Sequence, residues 1–136
     1  MKLARRRLAQ ILLGSAAAGM CSWRDTVVAR AVATIDPSLY PTLIRLASLY
    51  SDDAACLRVA STLDPSAVLA LTGSGLARAE RNAARTFAGK QNAGPHDLHI
   101  LLADDFRRER TVQAAGFRLA ETEAAIMLIR RTTIFL

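Results

Sequence analysis

The chain has 136 residues, of which 18 are basic and 12 acidic, for a net charge of +6. That excess sits at one end: Lys2, Arg5, Arg6 and Arg7 precede the first acid, Asp25, and without them fourteen bases face twelve acids, a net of +2. The balance argues against nucleic acid as a partner, which calls for a clustered basic face; the length fits one ordinary domain, and two cysteines exclude a disulfide framework.

The first twenty residues run from a basic head through the apolar stretch Leu8–Gly14 into the small residues Ser15–Gly19, the three-part pattern of a secretory signal peptide. Arg5 and Arg6, followed after one residue by Leu8, fit the twin-arginine form of that signal. Ala16 and Ala18 suit the two small positions before a cleavage site, so residues 1–18 read as the leader and 19–136 as a single domain. The apolar part falls short of the roughly 20 residues a stable bilayer span needs. Other readings are a buried first helix, an uncleaved leader that anchors residues 8–20 at the inner membrane, and lipidation at Cys21, where Met20 is a poor fit.

Beyond the leader the pattern is helical. Ser22–Asp25 reads as a capping box for a short helix near Trp23, with Val27, Val28, Ala31 and Val32 on one side. Asp36-Pro37 and Asp64-Pro65 are each a capping acid followed by a proline suited to the first helical position. Between them, Tyr40–Tyr50 and Asp53–Leu63 carry apolar stripes, and the short break Ser51-Asp52-Asp53 predicts a helical hairpin. Ser66–Leu71 is a fourth short helix, with Thr72-Gly73-Ser74-Gly75 expected to cap and end it. As a phosphate loop the glycine pair lacks a preceding strand and the lysine-serine pair that would follow.

Leu76–Ala88 places Leu76, Ala79, Ala83 and Phe87 on one helical face, and Ala88–Pro95 is the longest run of polar and helix-breaking residues. A helix from Pro95 or His96 to about Arg108 is expected to turn Leu98, Leu101, Leu102 and Phe106 inward. The period then changes to two short strands, about Arg110–Gln113 and Phe117–Leu119, turned at Ala114–Gly116. A last helix, Thr122 to about Arg131, is expected to bury Ala125, Ile126 and Ile129, before a β-prone apolar tail, Thr132–Leu136. The expected fold is mainly α: a small bundle of short helices with a C-terminal β-hairpin followed by a last helix.

No arrangement of catalytic residues emerges, and no cofactor motif is present. His96 and His99 can share a metal at their spacing but need a third ligand; they are the weak candidates for a metal-binding or enzymatic periplasmic protein. The cluster Asp104–Arg110 reads as a solvated helix end with local ion pairs. Cys21 and Cys56 either pair in an oxidising compartment or stand as a terminal and a buried thiol. Phe117, Leu119, Ile134, Phe135 and Leu136 form the expected partner-binding face, because an apolar end without an intrachain role is an interface candidate.

The pattern Asp105-Phe106, Arg110-Thr111-Val112, Gly116-Phe117-Arg118-Leu119 and Thr122-Glu123-Ala124 resembles that of small proteobacterial proteins with a twin-arginine signal. More loosely, the leader and size are similar to the small subunits of periplasmic flavin-dependent dehydrogenases, of the gluconate dehydrogenase subunit three type. That resemblance implies a non-enzymatic accessory or export-escort subunit, which meets the export machinery through its leader and binds a larger periplasmic oxidoreductase. A structural envelope protein held by its leader is the alternative without a partner.

Overall fold

The computed structural model describes residues 26–90 and 92–134. The leader residues Arg5, Arg6, Leu8, Ala16 and Ala18, together with Cys21, the Ser22–Asp25 capping box, Phe135 and Leu136, lie outside the described residues. The elements in order are α1 (Thr26–Ala33), a 3-10 turn (Pro37–Leu39), α2 (Pro41–Ala47), α3 (Asp53–Ser61), α4 (Pro65–Ala70), a π-helical turn (Leu71–Gly75), α5 (Leu76–Thr86), α6 (Pro95–Arg107), strands β1 (Thr111–Ala114) and β2 (Phe117–Ala120), and α7 (Glu121–Ile134). This is the expected mainly helical fold with a hairpin leading into a last helix.

The last helix is the centre of the molecule. Ala124 to Ile129 are six consecutive apolar residues, and all six are buried, because α2, α3, α5, α6 and the hairpin pack around α7. A helix that is apolar all round belongs inside a bundle. The one-sided stripe expected at Ala125, Ile126 and Ile129 therefore understates its burial. Each large side chain here contributes about 2 kcal/mol through removal from water. The helix also continues through Thr132 and Thr133 to Ile134, where a β-prone tail was expected. The Thr132 hydroxyl donates to the Ile129 carbonyl at 2.7 Å and the Thr133 hydroxyl to that of Arg130 at 2.9 Å, which satisfies both side chains inside the helix.

Helices α2 and α3 form where expected, but they make little contact with each other, so the predicted helical hairpin does not close on itself; Asp52 caps α3 by accepting the Ala55 amide at 3.0 Å. Both helices pack most heavily on α7. The first turn of α2 is capped from a distance: Glu80 on α5 accepts the amides of Thr42 at 2.8 Å and Leu43 at 2.9 Å. At the proline devices, Asp36 accepts the Ser38 amide at 3.1 Å, whereas Asp64 makes no side-chain cap and Pro65 alone sets the first turn. One apolar position here differs from expectation: Val27 faces solvent.

Thr72-Gly73-Ser74-Gly75 does not end a helix. The backbone passes through a π-helical turn into α5, giving one helical run from Pro65 to Thr86. Ala70, Gly75 and Leu76 all keep right-handed helical angles. Gly75 is buried, and a β-carbon there would stand 3.0 Å from Leu71 Cδ2 and 3.3 Å from the Ala70 carbonyl oxygen. The glycine serves this close approach rather than a left-handed cap.

The hairpin pairs Thr111 with Ala120 and Ala114 with Phe117 in antiparallel register. Its turn is only Ala115-Gly116, both at positive φ (45° and 86°), as a two-residue hairpin turn requires. The Asp64 amide donates to the Gln113 carbonyl at 3.1 Å, tying the hairpin to the start of α4.

Candidate interaction surface

The charged run after Leu102 is more than a solvated helix end. Leu98, Leu101 and Asp105 lie on the inner face of α6, and Asp105 is fully buried. Its Oδ2 accepts the Thr122 amide at 2.8 Å, and its Oδ1 accepts from Arg110 Nε at 2.9 Å. The carboxylate thus caps the first turn of α7 from an element seventeen residues earlier, where an anion meets the positive helix end. Beside it Arg78 of α5 grips Glu121 with two hydrogen bonds, of 2.8 and 2.6 Å. These contacts join α5, α6, the hairpin and α7 at one point. The expected inward Phe106 is overturned as a consequence: with Asp105 turned in, Phe106 points out and is 49% exposed.

Asp104, one residue earlier, lies at the surface and collects three arginines: Arg107, Arg108 and Arg110. Hydrogen bonding to Arg107 first, then Arg110 and Arg108, brings its carboxyl down to about 2. Two adjoining clefts, of about 260 and 360 Å³, open here between α5 and α6 and share Thr86, Leu101 and Asp104. Arg85, Arg107, Arg108 and Arg110 line them, four cations against one acid. On α6, Ile100 lines this groove and Phe106 is exposed about 120° farther round the helix, and β2, which packs on α6, adds exposed Phe117.

The structure separates the residues expected to form one partner-binding face. Phe117 is exposed, but Leu119 packs against the core. Ile134 is at the opposite end of α7 from the hairpin, and thirteen residues of helix put it about 20 Å away. Phe117 and Ile134 therefore belong to two surfaces.

His96 and His99 are both exposed on the first turns of α6. Asp97 between them is committed elsewhere, to Lys90 at 2.7 Å and to the Gly94 amide at 3.1 Å. Among the described residues no three His, Cys, Asp or Glu side chains come together as a metal site would need. Cys56 is buried on α3 with a free thiol, and burial pushes that thiol up, away from the reactive thiolate. Among the described residues no helix is long and apolar enough to cross a membrane. No protein-family model, curated protein or solved structure matches the chain.

Proposed function

We propose that this chain is an exported, non-catalytic subunit that binds a larger protein through the outer face of α6 and β2. The partner is the class of protein to which the leader and size point, a periplasmic oxidoreductase carried through the twin-arginine route. The reading is supported above all by one observation: Ile100, Phe106 and Phe117 are left uncovered on two elements in contact, beside a groove lined by four arginines. Large apolar side chains left exposed beside a charged groove are candidates for a protein interface. The charge specifies its partner, a surface with apolar anchors flanked by carboxylates.

The test is co-purification from the native host with Phe106→Asp and Phe117→Asp combined. Both side chains are about half exposed, at 49% and 46%, so the variant keeps its fold and thermal stability. The co-purifying subunit is lost if the face is the interface. Capture of the same subunit in the same yield would overturn this assignment.

A further inference from the structure

A separate cleft, of about 340 Å³, opens where the α2–α3 break meets the amino-terminal half of α7. Leu49, Tyr50, Asp52, Cys56, Glu123 and Met127 are among its lining residues. Its volume is at the small end of ligand pockets, which run from roughly 300 to 1,000 Å³. Glu123 stands apart from the other acids around it. Asp52 accepts the Ala55 amide, Asp53 holds Arg130, and Glu121 holds Arg78. The Glu123 side chain makes no hydrogen bond or ion pair with any described residue, and burial raises its carboxyl above the usual range.

A carboxylate half withdrawn from water without a partner is costly, and in a cleft it marks a place where a ligand restores the balance. The charges facing it narrow the ligand. Asp52 adds a second negative charge at the rim, and the nearby cation, Arg130, is engaged with Asp53. Burial raises the Tyr50 hydroxyl first, and the Glu123 charge and Cys56 add to the effect. Among the described residues the cleft is thus negative, with no cation facing Glu123. A divalent metal lacks its ligands here, since no three His, Cys, Asp or Glu side chains converge among the described residues. The apolar walls from Leu49, Tyr50 and Met127 favour a cation carrying a short hydrocarbon.

We propose that this cleft binds the ammonium end of a small free primary amine, with Glu123 as its counter-ion and Tyr50 and Met127 as its apolar walls. The site is independent of the α6 face, and either assignment can fail alone.

The test is solution NMR on the full chain, following the Met127 methyl group and the Glu123 side-chain carboxyl. The probe is n-butylammonium chloride, with n-butanol at matched ionic strength as the uncharged control. The Met127 signal moves and saturates with the amine and stays in place with the alcohol. At saturation the Glu123 titration midpoint falls by about one pH unit, which corresponds to tenfold tighter binding by the ionised form. Glu123→Gln weakens binding about tenfold or more, an effect of the size expected for losing a charged partner. Equal shifts with butanol, or unchanged amine affinity in Glu123→Gln, would overturn the site. Tighter binding of N-acetyl-lysine methylamide than of butylammonium would overturn the free-amine source and assign the cation to a lysine of another protein.

Discussion

Asp105 occupies a place where the spacing of Leu98 and Leu101 would ordinarily put another apolar residue, and its chemistry explains the exception. The side chain is buried because the first turn of α7 has amide groups to satisfy, and it accepts one of them at 2.8 Å while binding Arg110 at 2.9 Å. Replacing it by alanine orphans a buried amide and loosens Arg110, so Asp105→Ala should lower unfolding free energy by about 3 kcal/mol. Asp105→Asn, which keeps an acceptor oxygen for Thr122, should cost about half as much. Urea denaturation of the two variants checks this; equal, small losses would mean that Asp105 is an ordinary surface acid. The sequence offered a faint signal for this role, since Asp105 follows Leu98 and Leu101 at helical spacing. Read as one of several charges in Asp104–Arg110, it looked solvated. Only the position of Thr122 in space distinguishes it from Asp104, whose arginine partners are all within six residues along the chain.

At the scale of elements, local pattern was informative wherever a helix exposes one face and buries the other. The stripe Leu76, Ala79, Ala83 and Phe87 on α5 is buried throughout, and the loop after it falls in the polar run Ala88–Gly94. The change of period at Thr111 marks the hairpin, and Ala115-Gly116 supply its turn. Pattern failed where tertiary packing decides. Glycines at 73 and 75 look like a stop, yet packing of Leu71 and Leu76 into the core carries the helix straight through. That difference is measurable. Gly73 is exposed, has no positive φ, and a β-carbon there would meet nothing within 4 Å. Gly73→Ala should therefore stabilise the protein by about 0.5–1 kcal/mol, because alanine has less chain entropy to lose. A left-handed capping glycine would respond with a loss of similar size, so the sign of the shift in thermal midpoint separates the two geometries. The tail Thr132–Ile134 failed for the same reason: β-propensity yields to a helix already anchored on every side.

Across the whole molecule, the fold serves to bury α7 and to fix its ends. Asp105 and Arg78 hold its start through Thr122 and Glu121, and Asp53 of α3 holds Arg130 near its finish, at 2.9 Å to Nε. Burying the C-terminal helix leaves α6 and the hairpin as an outer layer, and it is there that Ile100, Phe106 and Phe117 are uncovered. The proposed interaction surface was legible only in part: Phe117 stood out, while Phe106 was hidden by its place in an apparently inward stripe, and Ile134 was grouped with Phe117 across the length of a helix. The proposed escort role joins this surface to the leader, since an escort must both bind its partner and take it through the membrane. Its most direct measurement is fractionation of host cells carrying the wild-type chain or the Arg5→Lys, Arg6→Lys double variant, with the co-purifying subunit quantified in cytoplasm and periplasm. For an escort, the subunit is periplasmic with the wild type and remains cytoplasmic, still bound to the chain, in the variant. Arrival of the subunit in the periplasm beside the double variant would contradict it.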